Sequence, residues 1–145
     1  MEFSPGFTLD ETGVYFSVLV FQDYVVKIPK KEMGMEVEQL KFIAEAQTEL
    51  AEHVNGVLPC WMIENVLIMP KAKGRRADAC LSKKAHIKAL KAEILHKIKD
   101  LGYELRDTGA RNMFYDEAED QVYMIDFHAV RLFDKEKERK RLKNR

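Results

Sequence analysis

The chain has only two cysteines and one tryptophan among its 145 residues. Cys60 and Cys80 have neither the spacing of a metal site nor a partner motif, which is typical of reduced thiols and predicts a cytoplasmic protein. Net charge is also lacking, because 24 lysines and arginines balance 24 aspartates and glutamates. Nothing in the overall charge therefore favours binding to nucleic acid or to an acidic membrane surface.

Long apolar runs and a signal peptide are absent from the sequence as well. The longest apolar stretches, residues 14–21 and 66–70, are far too short to span a bilayer, so no membrane partner is predicted. The N-terminus lacks the charged segment and apolar run of a secretory signal. Because 46% of the residues are apolar, the chain is long enough for one domain with a real core, but not for two ordinary ones.

The first third of the chain has the pattern of a β-sheet. Three short strands separated by turns are predicted at residues 7–10, 14–21 and 24–28. In the third strand, Lys27 shares a face with Val25. A lysine among apolar strand residues either keeps an edge strand soluble or faces a partner inside the protein.

A helix is predicted from about Met35 to Val54, with Gly56 as a stop signal. Its 3.6-residue period gives an apolar stripe made of Leu40, Ile43, Ala44, Gln47, Leu50, Ala51 and Val54. The same period places Glu36 on the core side, where a carboxylate needs a partner, and Lys27 is the expected one. The alternative is that Glu36 only decorates the first helical turn, where the helix dipole favours it.

The second half of the chain begins with two more strands, at residues 60–64 and 65–69, and a polar crossing segment. A second helix is predicted from Ser82, as its N-cap, to about Leu101. Its apolar face consists of Ile87, Leu90, Ile94 and Ile98. The charged tail is expected to be a solvated helical end, with a contact patch for an acidic partner as the alternative.

Asp107, Asn112 and Asp126 are the most informative residues of the sequence. A hairpin is predicted between the last two, with strands at residues 113–115 and 121–125. Because a hairpin brings the residue before its first strand beside the residue after its second, Asn112 and Asp126 should be neighbours. An oxygen-only pair of this kind suits Mg²⁺, which binds nucleotide phosphates through one or two carboxylates. Asp107 could reach an incoming hydroxyl, so the arrangement predicts phosphoryl transfer.

These segments resemble the motifs of the protein-kinase-like superfamily, in the same order along almost the whole chain. Residues 24–27 look like the third strand's Val-Ala-Ile-Lys, and residues 66–74 look like the strand that enters the hinge. Arg106-Asp107 followed by Asn112 matches Arg-Asp-x-x-x-x-Asn, and Asp126-Phe127 matches the start of Asp-Phe-Gly.

The resemblance implies an α+β, protein-kinase-like fold. It would combine an antiparallel N-lobe sheet carrying one helix with a minimal C-lobe, made of one long helix, the catalytic loop, the β-hairpin and a C-terminal helical tail. The single domain, residues 1–145, would divide into an N-lobe-like part, a hinge, the minimal C-lobe and the charged tail, at residues 1–70, 71–78, 79–133 and 134–145.

The resemblance also implies a role for each site residue. Lys27 would hold the α- and β-phosphates of ATP and be oriented by Glu36, while Asp107 would accept or orient the acceptor hydroxyl. Arg111 would replace a phosphate-contacting lysine. Asn112 and Asp126 would bind Mg²⁺ or Mn²⁺. The remaining nucleotide contacts would come from Gly13, Val14, Val25, the gatekeeper Met69, Pro70 and Ala72.

Several departures from the family pattern qualify this function. Gly13 stands alone where a glycine-rich loop is expected, Leu105 replaces the histidine before Arg-Asp, and His128 replaces the glycine after Asp-Phe. The chain also ends soon after Asp126, which leaves no room for an activation segment or a helical substrate subdomain.

The function implied is an ATP- and Mg²⁺- or Mn²⁺-dependent kinase that transfers the γ-phosphate to a serine or threonine of a protein. The alternative is a catalytically weak pseudokinase that binds and regulates a partner protein. A third interpretation is purely structural, with Lys27 at the surface and the two aspartates capping loops. A homodimer that covers exposed apolar surface is also among the expected partners.

Overall fold

Ten strands and two long helices make up the described part of the protein, residues 6–133 and residue 143, in a computed structural model. Five of the strands form an antiparallel sheet with the order β1-β2-β3-β5-β4. They are β1 (Thr8–Asp10), β2 (Phe16–Val20), β3 (Tyr24–Pro29), β4 (Trp61–Ile63) and β5 (Val66–Pro70). The antiparallel N-terminal sheet predicted from the sequence is therefore confirmed.

The first helix, α1 (Val37–His53), packs its apolar stripe against this sheet. Its buried residues are Leu40, Ile43, Ala44, Ala46, Gln47 and Leu50. Gln47 is polar, but its side-chain amide donates to the carbonyl oxygen of Leu58 at 2.9 Å. A buried amide is costly unless it is hydrogen-bonded, so this bond lets a polar residue occupy the apolar stripe.

The second half of the chain contains a three-stranded antiparallel sheet and a two-stranded one. The larger sheet has the order β6-β8-β9, and its strands are β6 (Arg75–Arg76), β8 (Met113–Asp116) and β9 (Gln121–Met124). The smaller sheet pairs β7 (Tyr103–Leu105) with β10 (Val130–Leu132). The hairpin β8–β9 follows the prediction, whereas β6, β7 and β10 were not predicted.

The second helix, α2 (Lys84–Asp100), begins later than the sequence suggests. Ser82 lies in a preceding 3₁₀ turn, Leu81–Lys83, and Lys83 occupies the N-cap position without a side-chain capping bond. Ser82 as N-cap was therefore wrong. The predicted apolar face is buried at Ile87, Ile94 and Ile98, and Leu90 is partly buried against the same core.

The loop after α1 joins the two halves of the molecule. The backbone N–H of Met124 donates to the carbonyl oxygen of Gly56 at 2.9 Å, and Val57 forms a parallel bridge with Met124. A Cβ at Gly56, which has a φ of 98°, would overlap the carbonyl oxygen of Val122. The hairpin is thus held directly against the end of α1, which fixes the position of the first sheet relative to the hairpin.

No helix of the described residues is long and apolar enough to cross a membrane. The predicted helical tail, residues 134–145, falls outside the described residues except for residue 143, which is helical.

Replacing Gly74 by alanine should destabilise the fold by about 3 kcal/mol, as expected for a strained backbone with a steric overlap. Gly74 has a φ of 87°, and a Cβ there would overlap the carbonyl group of Tyr115 in β8. Gly109→Ala is the matched control, because Gly109 has a φ of −69° and open space around the Cβ position. Denaturant unfolding of both variants measures the difference, and equal midpoints would contradict this packing.

Candidate nucleotide and metal site

A cleft of about 560 Å³ lies between the first sheet and the loops that flank the hairpin. Its volume is in the range of small-molecule sites in proteins. The cleft is lined by all the predicted site residues except Glu36, namely Gly13, Val14, Val25, Lys27, Met69, Pro70, Ala72, Asp107, Arg111, Asn112 and Asp126. Residues from both ends of the chain therefore meet in one cavity.

The hairpin brings Asn112 and Asp126 together, as its pattern predicts. Met113 pairs with Met124 at the open end of the hairpin. One step further, the N–H of Ile125 donates to the carbonyl oxygen of Asn112 at 3.1 Å. Asp126 follows directly, so its carboxylate and the Asn112 amide line the same wall of the cleft.

Lys27 reaches into the cleft from the middle of the first sheet. Its strand, β3, is hydrogen-bonded to β2 on one side and to β5 on the other, so an edge-strand role for this lysine is excluded. The Lys27 Nζ donates to the carbonyl oxygen of Ile125 at 2.6 Å and lies 5.8 Å from the centre of the Phe16 ring. Lys27 is thus hydrogen-bonded to the residue that directly precedes Asp126.

Glu36 lies outside the cleft and makes no ion pair with Lys27 in the described part of the structure. It is the N-cap of α1, with extended backbone at φ −79° and ψ 155°. Its N–H donates to the side-chain oxygen of Gln39 at 2.9 Å, and its own carboxylate accepts a hydrogen bond from the Gln39 N–H in return. Because the helix begins at Val37 instead of Met35, the helical period that pointed Glu36 inward does not apply to it.

His128 lies between the two aspartates of the cleft. Its Nδ1 is 2.5 Å from Oδ1 of Asp126, and its Nε2 is 3.2 Å from Oδ2 of Asp107. The imidazole also stacks on the ring of Tyr15, with the ring centres 4.6 Å apart. One side chain therefore connects the hairpin end, the loop before the hairpin and the loop between β1 and β2.

The electrostatics of this cluster favour an ionised carboxylate and a protonated imidazole. Burial acts to raise the pKa of Asp126, but the hydrogen bond from His128 and the charges of Lys27 and His128 outweigh it and lower the pKa to about 2. The hydrogen bond with Asp126 raises the pKa of His128 against the effect of burial. Each group thus stabilises the charged form of the other.

Asp107 presents its side chain at the open side of the cleft, where 58% of it is exposed. Its φ of 56° lies in the left-handed region, which is uncommon for residues other than glycine and typical of functional sites. The Asn112 Nδ2 donates to the carbonyl oxygen of Asp107 at 2.8 Å and holds this backbone in place. The same side chain thus fixes the aspartate loop to the hairpin.

Side chains, and not a glycine-rich sequence, fix the loop between β1 and β2. The Lys30 Nζ donates to the carbonyl oxygens of Glu11 and Gly13 at 2.8 and 2.7 Å. The Thr12 hydroxyl and N–H both donate to Oδ1 of Asp10, and the hydroxyl bond is the main reason why the pKa of Asp10 is lowered. The loop therefore lies over the cleft in a defined conformation.

The cleft also contains residues that the sequence did not single out. Arg76 comes from β6, and its guanidinium pairs with Asp78, with Nη2 2.6 Å from Oδ2. This pairing raises the pKa of Arg76. The other unpredicted lining residues include Asp10, Thr12, Tyr15, Phe16, Lys71 and Phe114. The sequence did not predict β6 because a strand of two residues, Arg75–Arg76, is too short to show an alternating pattern.

The donor set at the hairpin end fits a hard divalent cation. Asn112 uses Nδ2 for its bond to Asp107, which leaves the amide oxygen as a ligand, and Asp126 accepts its bonds from His128 on Oδ1. Two oxygen ligands completed by phosphates and water are typical of Mg²⁺ sites. No group of three or more histidine, cysteine, aspartate or glutamate side chains is arranged for a metal within the described residues.

Comparison with known proteins shows a distant structural relationship. No family model and no curated protein matches the sequence. The chain is similar in structure to WbdD, solved with the kinase inhibitor LY294002, with a TM-score of 0.59 and 18% identity over 90% of this chain and 34% of that chain. It therefore spans about a third of the length of WbdD. At this identity the likeness shows a kinase-like α+β fold with an antiparallel sheet and two helices.

The pair formed by Asp126 and His128 should make stability depend on pH. The Asp126 carboxylate contributes above its ordinary value of 3.8 and loses its contribution as the pH falls towards 2. The His128 imidazolium contributes fully below its ordinary value of 6.5 and loses its contribution as the pH rises through the raised pKa. His128→Asn should therefore destabilise the protein most between pH 3.8 and 6.5, and less at higher pH.

Urea unfolding of wild type and His128→Asn across this pH range measures the effect. His53→Asn is the control, because it removes an exposed imidazole that does not line the cleft. A difference between wild type and His128→Asn that stays constant with pH would show that the two groups are not coupled in this way.

Proposed function

We propose that the chain is a kinase-like phosphotransferase that uses ATP with Mg²⁺ or Mn²⁺ and transfers the γ-phosphate to a hydroxyl acceptor. The observation that carries this proposal is the convergence of Lys27, Asn112, Asp126 and Asp107 on one cleft of about 560 Å³. Phosphoryl transfer requires a positive charge for the phosphates, oxygen ligands for a metal and a carboxylate for the acceptor hydroxyl. Lys27 would supply the first, Asn112 and Asp126 the second, and Asp107 the third.

The nucleotide would occupy the cleft with its base against the first sheet. Val25, Met69 and Ala72 supply apolar lining at that end, and Pro70 retains a backbone carbonyl that can accept a hydrogen bond. Lys27 would supply positive charge to the phosphates from the floor of the cleft, and Arg111 from its exposed rim. The likeness to WbdD, which was crystallised with a kinase inhibitor, supports this use of the cleft by analogy of fold.

Asn112 and Asp126 would hold the metal ion. The Asp126 carboxylate is ionised far below neutral pH, because its pKa is lowered to about 2, so it needs no deprotonation before binding a cation. When bound, the metal would supply neutralisation of the charge on the transferred phosphoryl group. The Asn112–Asp107 bond keeps the aspartate loop at a fixed distance from this pair.

Asp107 would orient the acceptor hydroxyl and accept its proton. Its side chain is largely exposed at the mouth of the cleft, where a protein side chain such as serine or threonine can approach. Positioning of this kind lowers the barrier by holding the reactants in line, with little covalent work for the protein. A protein serine or threonine is therefore the proposed acceptor.

A pseudokinase is the second candidate, and one observation favours it. His128 engages Asp107 through one ring nitrogen and Asp126 through the other, so the proposed base and the proposed metal-binding carboxylate both already have a partner. A protein that binds a nucleotide in this arrangement without transferring phosphate would act by regulating a partner protein. Nucleotide binding and phosphate transfer must therefore be measured separately.

ATP with Mg²⁺ or Mn²⁺ should stabilise the folded protein, by about 2.7 kcal/mol at a ligand concentration one hundred times Kd. Thermal unfolding with and without the ligand measures the shift. Lys27→Met and Asp126→Asn should remove most of it, since they remove the phosphate and metal contacts. Lys84→Met and Asp100→Asn, which change the same residue types on the exposed surface of α2, should retain it. No shift in the wild type would support the structural interpretation and end the proposal.

Phosphate transfer should depend on Asp107 and Asp126 in different ways. Asp107→Asn should lower the rate by about 100-fold or more, the usual contribution of a positioned base, and leave the ATP-dependent stabilisation in place. Asp126→Asn should abolish transfer and also remove most of the stabilisation. Transfer of labelled γ-phosphate to the chain itself and to mixed protein acceptors provides the measurement, with Asp100→Asn as the control. Stabilisation by ATP without transfer in the wild type would identify a pseudokinase.

A further inference from the structure

A second groove lies along one side of α1, between this helix and the edge strand β4. It is open, has a volume of about 490 Å³ and shares no lining residue with the cleft. Its base is fixed by Thr48, whose hydroxyl donates to the carbonyl oxygen of Cys60 at 2.7 Å and accepts from the Cys60 N–H at 3.1 Å. The groove is therefore a formed part of the fold.

The groove is acidic and carries an aromatic side chain. Glu45, Glu49 and Glu52 line it along α1, and Lys41 supplies the one opposing charge among its lining residues. Trp61 stands on the other side with 51% of its surface exposed. Carboxylates beside an exposed indole ring suit arginine and lysine side chains, which pair with the acids and stack on the ring.

The same chain contains a segment with the complementary charge. Residues 139–145 carry five basic residues and no acidic one, namely Arg139, Lys140, Arg141, Lys143 and Arg145. Residues 134–138 alternate in sign and separate this basic segment from the end of the described sheet. The groove and this segment of the sequence therefore carry charges of opposite sign.

The chain leaves the described fold beside the acidic groove. Leu132 is paired with Tyr103 at the end of the β7–β10 sheet, and the Phe133 N–H donates to the carbonyl oxygen of Gly102 at 2.8 Å. The hydroxyl of Tyr103 in turn donates to the carboxylate of Glu49, a residue of the groove. The exit point and the groove are therefore separated by one tyrosine side chain, and residues 134–145 follow the exit point directly in the chain.

We propose that the basic segment, residues 139–145, docks in the acidic groove of its own chain. Arginine and lysine side chains would pair with Glu45 and Glu52, the carboxylates not bonded by Tyr103, and an arginine would stack on Trp61. The segment would then connect the C-terminal end of the chain to α1, the helix that packs against the first sheet. This proposal is independent of the function proposed for the cleft.

Trp61 makes the proposal directly testable, because it is the single tryptophan of the chain. In the full-length protein, replacing the five basic residues of the segment by glutamine should increase quenching of Trp61 fluorescence by acrylamide. Salt at 1 M should have the same effect on the wild type, since the screening length falls to about 3 Å. The matched control replaces five exposed lysines outside both grooves by glutamine, at Lys31, Lys73, Lys84, Lys88 and Lys97.

Crosslinking with a carbodiimide identifies the contact itself, because the reagent joins amines to carboxylates that touch. In dilute protein, Lys140 or Lys143 should become linked to Glu45 or Glu52 within one chain. Glu45→Gln combined with Glu52→Gln should remove these links and raise the quenching of Trp61. Unfolding by urea verifies that this variant remains folded.

Three results would overturn the proposal. The first is quenching that stays the same when the basic segment is neutralised. The second is an equal change in the control with five lysines replaced, which would reflect net charge alone. The third is crosslinks from the segment to the groove that occur only in a dimer, which would assign the groove to a second copy of the chain.

Discussion

The pairing of β8 with β9 is the constraint on which the site depends. It allows the Ile125 N–H to donate to the carbonyl oxygen of Asn112, and so places Asp126 beside Asn112. A slip by one residue would turn every side chain of the hairpin to the other face. Tyr115, Val122 and Met124 are almost fully buried. Because a slip would expose these side chains to water at a cost in free energy, their burial fixes the register.

The hairpin also connects the two halves of the protein through neighbouring residues. Met124 is bonded to Gly56 after α1, and Ile125 accepts the bond from Lys27 in the middle of the first sheet. The end of β9 is therefore hydrogen-bonded both to the loop after α1 and to the first sheet, which fixes the residues that form this wall of the cleft. Lys27 has a carbonyl partner here instead of a carboxylate, and this partner accepts one of its three N–H donors without neutralising its charge. The positive charge of Lys27 therefore faces the cleft that Asp126 also lines.

Much of this arrangement is readable from the sequence, because periodic patterns and hairpins are local properties. The apolar stripe of α1 and the proximity of Asn112 and Asp126 follow from such patterns. The features that were missed depend on residues far apart in the chain or on very short elements. β7 and β10 have three residues each, too few for a period, and they pair across more than twenty residues. Glu36 was misplaced because a shift of two residues in the start of a helix changes the direction of its first side chains.

His128 shows why the chemistry is less predictable than the geometry. In the sequence it is a departure from Asp-Phe-Gly, but in the structure it stacks on Tyr15 and so ties the loop over the cleft to the hairpin. It also keeps Asp126 ionised, which favours a bound cation, while occupying Oδ1 of that carboxylate. The second ring nitrogen contacts Asp107 and restrains its side chain. In the proposed function, the metal would use the oxygens that His128 leaves open, whereas transfer would also require Asp107, so His128 would affect binding less than transfer.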